Sequence, residues 1–216
     1  MRLILYDLDG TLVDTREDIT RAANHMRAQM DLPPLSLREV CRFVGLGLRQ
    51  LVASCLEAQE DDVRIEEGMR IYRAYYAEHL LDHTVLYPGV REVLDHFRGR
   101  SQAVVTNKPN PYSRQILEGL GVAGYFVKIV AGDSGYAKKP DPSAILSLME
   151  EEQALSSQTV LVGDSPIDVE AGTRAGICTV AVAQGFSDRQ ELESARPQQL
   201  VDNFGQLLEL ARSRGW

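Results

Sequence analysis

Five short runs of apolar residues, each bounded by Gly, Asp or Asn, constrain this chain more than anything else in it. They are Leu3–Asp7, Ala103–Thr106, Val127–Ala131, Thr159–Val162 and Cys178–Val182. Their apolar character is continuous rather than alternating, which is the pattern of a strand covered on both faces. Helical patterns lie between them. Val90, Val93, Leu94 and Phe97 follow i, i+3, i+4, i+7 spacing, and Ile116, Leu117 and Leu120 precede a stop at Gly121. Ile145, Leu146 and Met149 form another stripe, with Asp141-Pro142 read as N-cap and first helical position. Short buried strands alternating with helices predict an α/β fold, a Rossmann-like parallel sheet between helical layers.

Residues 15–85 break that rhythm and carry no convincing strand. Ile19, Ala22, Ala23, Met26 and Met30 share one helical face that ends before Pro33-Pro34. Ser36 and Glu39 have capping-box spacing, with Leu35 and Val40 placed as the hydrophobic staple. Leu48, Leu51, Val52 and Leu56 mark a third helix; Ile65, Met69, Tyr72, Tyr76 and Leu80 mark a long fourth. The expected organisation is an α/β core of residues 1–14 and 86–216, with an all-helical module of residues 15–85 inserted after the first strand.

Charge narrows the function classes. The 216 residues carry a net charge of −8, a poor match to nucleic acid or an anionic membrane surface. The only lysines are Lys108, Lys128, Lys138 and Lys139. No apolar stretch reaches the ~18–20 residues of a membrane span, and the first run is too short for a signal peptide. Cys41, Cys55 and Cys178 are an odd, scattered set, as expected of reduced thiols. A cytoplasmic protein, monomeric or homodimeric, is the expectation.

Four motifs stand at the C-terminal ends of the strands, where open α/β sheets place ligands. In Asp7-Leu8-Asp9-Gly10-Thr11, alternation points Asp7 and Asp9 the same way. Two carboxylates there repel unless a cation lies between them, and a hard, oxygen-liking ion such as Mg²⁺ fits. In Val105-Thr106-Asn107-Lys108, a hydroxyl and free backbone N–H groups can hold a phosphate oxygen, although Thr also ends many ordinary strands. In Lys138-Lys139-Pro140-Asp141-Pro142, prolines fix the chain beside Lys139 and so aim a cation; adjacent lysines can equally be solvated. In Gly163-Asp164-Ser165-Pro166-Ile167-Asp168, Asp164 follows a strand as Asp7 does and could complete a carboxylate metal site. Asp168 has two readings: the acid of a capping box begun by Ser165, or a partner of Lys139 or of a metal-bound water.

Acid pair, Thr, Lys and second acid pair, in that order and each after a strand, resemble the haloacid dehalogenase superfamily over nearly the whole chain. The helical module is similar to that superfamily's C1-type cap. Asp7–Asp14, the stretch Phe43–Val52, Tyr87–Val90 and Val105–Pro109 look most like phosphoglycolate phosphatases. The resemblance implies a Mg²⁺-dependent phosphomonoester hydrolase. Asp7 would be the nucleophile that forms an aspartyl-phosphate, and Asp9 the general acid and base. Asp7, Asp164 and the Asp9 backbone carbonyl would hold Mg²⁺; Thr106, Asn107 and Lys139 would hold the phosphoryl oxygens. Asp9 argues against a dehalogenase, which has no need of that acid. A lysine-free 15–85 argues against a phosphonate hydrolase working through a cap lysine. Intact Asp7, Asp9 and Lys139 argue against a catalytically silent binding protein. A pyrophosphatase, a broader sugar-phosphate or nucleotide phosphatase and a β-phosphoglucomutase-like enzyme stay open. In the cap, Gly45-Leu46-Gly47-Leu48-Arg49 is a glycine-punctuated turn into a helix, and Arg49 is the expected cation for the carboxylate of a small phosphorylated metabolite.

Overall fold

The computed structural model describes residues 1–59 and 61–216. Its strands are Leu3–Tyr6 (β1), Val13–Asp14 (β2), Val85–Leu86 (β3), Ser101–Val105 (β4), Lys128–Val130 (β5), Thr159–Gly163 (β6), Cys178–Val182 (β7) and Gln199–Val201 (β8). The α-helices are Arg16–Gln29 (α1), Leu37–Cys41 (α2), Leu48–Cys55 (α3), Arg64–His79 (α4), Val90–His96 (α5), Tyr112–Gly119 (α6), Ser143–Glu151 (α7), Pro166–Arg174 (α8), Arg189–Ala195 (α9) and Phe204–Ser213 (α10).

Six strands form one sheet in the order β5-β4-β1-β6-β7-β8, and every pairing in it is parallel. The continuous apolar runs have the double burial they predict. Ile4 and Tyr6 of β1 enter one core cluster, and Leu3 and Leu5 enter the cluster on the other face. Tyr6 is fully buried, and its hydroxyl donates to Gln102 Oε1 at 3.1 Å. β1 lies between β4 and β6, where the order of connection reverses. The ends of these three strands therefore flank a crevice, the position where such sheets bind ligands.

Two corrections to the sequence reading concern strands. Val85, the last residue of the stretch read as strand-free, pairs antiparallel with Asp14 in a two-stranded ribbon that joins β2 to β3. Gln199–Val201 adds a sixth strand at the sheet edge, partly exposed and so without an apolar run. At α7 the cap differs by one residue: Pro142 takes the cap position, while Asp141 accepts from the Ser143 N–H at 2.9 Å.

Helices α1 to α4 occupy the stretch between the ribbon strands. The Ser36–Glu39 capping box forms, and Val40 is buried beneath it. The core cluster that holds Ile4, Tyr6 and Leu8 continues into Ile19, Met26, Val40, Val52 and Tyr72, so all four helices share an apolar core with one face of β1. Among the described residues, no helix is long and apolar enough to cross a membrane.

Candidate active site

The residues after β1 set the geometry of the crevice. The Leu8 carbonyl accepts from the N–H groups of Thr11, Leu12 and Val13, which winds the chain tightly and returns it into β2. Gly10 makes the wind possible: its φ of +81° suits only glycine, and a Cβ there would collide with the Asp164 carboxylate. Thr11, carried by this loop, donates to Asp164 Oδ1 at 2.8 Å, and the Phe186 N–H donates to Asp164 Oδ2 at 2.8 Å. Asp164 is held from two sides and buried.

Lys139 ties the carboxylates together. Its Nζ lies 2.8 Å from Asp7 Oδ1 and 2.6 Å from Asp168 Oδ1, with the lysine side chain only 3% exposed. Asn107 fixes the lysine's backbone, accepting from the Lys139 N–H and donating to the Lys139 carbonyl, both at 2.9 Å. The same Asn107 amide donates to the Gly45 carbonyl at 2.7 Å. One side chain thus links the core to the glycine turn between α2 and α3. Asp168 realises both of its readings: Oδ2 accepts from the Ser165 N–H and hydroxyl at the start of α8, while Oδ1 meets Lys139.

Burial pushes the Asp164 carboxyl up to about 8, with Asp168 and Asp7 adding repulsion. Burial likewise raises Asp7 to about 6, against the pull of Lys139. Burial also opposes the Lys139 charge, but Asp168 and Asp7 hold the ammonium above the usual lysine range. Asp7, Asp164 and Asp168 bring carboxylate oxygens within 4.8 Å of one another. Three buried acids crowd around one ammonium, and Asp7 Oδ1 has the Lys139 ion pair as its one close contact and is otherwise unpartnered among the described residues. That excess of hard oxygen donors and negative charge fits a divalent cation such as Mg²⁺.

Asp9 stands apart from this cluster. Thr15 donates to its Oδ1 at 2.7 Å, and Lys108 Nζ lies 3.0 Å from the same oxygen. Asp7, Asp9, Thr106, Asn107 and Gly45 all line one small cavity of about 60 Å³ between the strand ends and the helices. Arg49 is absent from its walls; the exposed guanidinium pairs with Glu66. Its place one residue into α3 sets it on the outer side of a helix whose Leu48 and Leu51 face inward. Sequence reasoning assigned no role to Lys108, Thr11 or Thr15, and it read Tyr72 and Tyr76 only as an apolar helix face. Lys108 carried one usable signal, being one of only four lysines in the chain and the neighbour of Asn107.

The chain is similar to known proteins over nearly its whole length. The family described as haloacid dehalogenase-like hydrolase matches residues 4–182. A phosphoglycolate phosphatase of Pseudomonas syringae is 36% identical over 215 residues, covering 96% of this chain and 78% of its own. One from Vibrio parahaemolyticus is 34% identical over 221 residues, covering 97% of this chain and 96% of its own. Among solved structures, a predicted phosphoglycolate phosphatase from Haemophilus somnus superposes with a TM-score of 0.91 at 29% identity, covering 98% of each chain. A predicted phosphatase from Clostridium acetobutylicum does so with a TM-score of 0.86 at 26% identity and the same coverage.

Proposed function

The chain belongs to the haloacid dehalogenase-like hydrolases, and we propose that it is a phosphatase that hydrolyses small phosphate monoesters by nucleophilic attack of Asp7, with 2-phosphoglycolate as its substrate. The observation that carries this reading is Asp7 itself: a buried carboxylate at the end of the central strand, with the Lys139 ion pair as the one close contact of its Oδ1 and Asp164 beside it. The substrate is supported by the names of the relatives.

In the first step an Asp7 oxygen attacks phosphorus and the bond to the leaving oxygen breaks. Asp9 gives that oxygen its proton, leaving an aspartyl-phosphate and the free alcohol. In the second step Asp9 removes a proton from water, the resulting oxygen attacks phosphorus, and inorganic phosphate departs from Asp7. Carboxylate is a weak nucleophile, so alignment matters more than activation. Asn107 supplies alignment by fixing the loop of Lys139. Thr106, the Asn107 N–H and Lys139 take the charge of the transferring oxygens. Mg²⁺ held by Asp7, Asp164 and the Asp9 carbonyl would screen the repulsion between carboxylate and phosphate. Asp168 keeps Lys139 aimed and charged. Residues 15–85 act as a cap on a core of residues 1–14 and 86–216, excluding bulk water when closed.

The test is a phosphatase screen over 2-phosphoglycolate, sugar phosphates, nucleoside monophosphates and pyrophosphate, with and without Mg²⁺. The expected result is Mg²⁺-dependent phosphate release, fastest with 2-phosphoglycolate. A faster rate on a sugar phosphate would replace the substrate; no hydrolysis of any ester would overturn the phosphatase reading.

A further inference from the structure

Lys108 is a buried cation with no part in the mechanism above. It follows β4 two residues after Thr106, and its side chain is only 7% exposed. Its ammonium lies 3.0 and 3.2 Å from the two Asp9 oxygens and donates to the Tyr76 hydroxyl at 2.8 Å. It also sits 4.7 Å from the centre of the Tyr76 ring. Tyr72, one turn earlier on α4, stacks on Tyr76 with ring centres 5.4 Å apart. Tyr72 is 3% exposed, yet its hydroxyl makes no hydrogen bond to any described residue. The Tyr76 hydroxyl accepts from Lys108 and likewise donates to none of them. All three side chains line the small cavity, where Ile19, Leu48 and Leu51 supply apolar wall.

A neutral tail on the substrate would need none of this polarity. A buried ammonium and two phenols with protons to donate, set among apolar side chains, make a receptor for a small oxyanion. We propose that Lys108, Tyr72 and Tyr76 form the subsite for a carboxylate on the substrate, so that the enzyme selects short phosphate esters bearing a second anion. The inference rests on the phosphatase reading and moves to Lys108 the task that the sequence suggested for Arg49. Lys108 reaches Asp9, and when Asp9 carries the proton it gives to the leaving oxygen, the charge of the ammonium is left for an arriving carboxylate. With three N–H donors it can serve both acids and Tyr76.

The experiment compares 2-phosphoglycolate with ethyl phosphate, which has the same length and no carboxylate, in the wild type and in the variants Lys108→Met and Tyr72→Phe. The quantity read is the ratio of the two kcat/KM values. A carboxylate subsite predicts that this ratio falls about ten- to a hundredfold in Lys108→Met, the usual worth of a charge-assisted contact. In Tyr72→Phe it falls by a smaller factor, through a higher KM for 2-phosphoglycolate. If Lys108 only positions Asp9, both substrates lose rate together, the ratio holds, and the proposal is overturned. Should Lys108→Met fail to fold, the near-isosteric Tyr72→Phe decides, and an unchanged ratio there overturns the proposal. A wild type that hydrolyses both esters with equal kcat/KM removes the subsite and leaves the phosphatase intact. A wild type that hydrolyses neither removes both.

Discussion

Asp7 and Asp9 are the same side chain two residues apart, and their surroundings separate their chemistry. Asp7 faces Lys139 and two further acids; Asp9 faces Lys108 and the Thr15 hydroxyl. Asp7→Asn keeps the shape and removes the proposed nucleophile, so steady-state turnover should vanish while the circular dichroism spectrum stays native. Turnover near the wild-type rate would reject Asp7. Asp9→Asn keeps the backbone carbonyl and loses the proposed proton shuttle, which typically costs ~10²–10⁴ in rate. Aryl phosphates, whose leaving groups need less protonation, should lose less than alkyl phosphates in single-turnover phosphorylation. Equal losses would argue against Asp9 as the acid.

Among the elements, the joint between α1 and β3 is held by one buried carboxylate. Asp18, in the first turn of α1, is buried and accepts from the N–H groups of His83 and Thr84, the Thr84 hydroxyl and the His83 ring. Burial alone would raise its carboxyl, but these donors outweigh burial and hold it below the usual aspartate range. The sequence gives no hint of the contact, which spans more than sixty residues. Asp18→Ala would strand several donors beneath the helices, at a cost of ~2–3 kcal/mol, read as a lower urea midpoint. A midpoint unchanged from wild type would mean that the joint contributes nothing. At α8 the Asp168 carboxylate serves cap and Lys139 together. Asp168→Ala should therefore lose ~0.5–2 kcal/mol of stability and, in addition, phosphatase rate. Loss of stability without loss of rate would leave it a cap alone.

For the whole molecule, the acid cluster should make stability depend on pH and, if it holds a divalent cation as proposed, on that cation as well. Asp7 and Asp164 titrate at about 6 and about 8 when folded, against ~4 for an unfolded aspartate. From about pH 4 to about pH 8 the cation-free folded chain therefore binds protons that the unfolded chain has released, so stability falls as pH rises through that window. A divalent cation can take the place of those protons. Thermal melts should show Tm in EDTA dropping between about pH 5 and pH 8, and millimolar Mg²⁺ raising Tm more at the upper pH. Equal Mg²⁺ effects at both would contradict a cation site among these carboxylates.

What the sequence determined by itself is whatever is decided within a few residues. Continuous apolar runs gave five of the six sheet strands, and Ser36–Glu39 and Ser165–Asp168 gave their capping boxes. Acids, Thr and Lys at strand ends marked the crevice before its walls were known, because parallel strands must end on one side of their sheet. What only the tertiary structure decided are relations between distant residues. The ribbon of β2 and β3 is two residues long on each side and exists only because the helical stretch returns to where it left. The edge strand β8 lacks an apolar run because its outer side faces water. Tyr72 and Tyr76 have the spacing of core residues, yet they wall a cavity; Lys108 faces that cavity and Arg49 pairs with Glu66 outside it. Periodicity tells which face of a helix is turned inward. Whether that face meets a packed core or an enclosed polar site depends on what the opposite element presents, and that element lies tens of residues away.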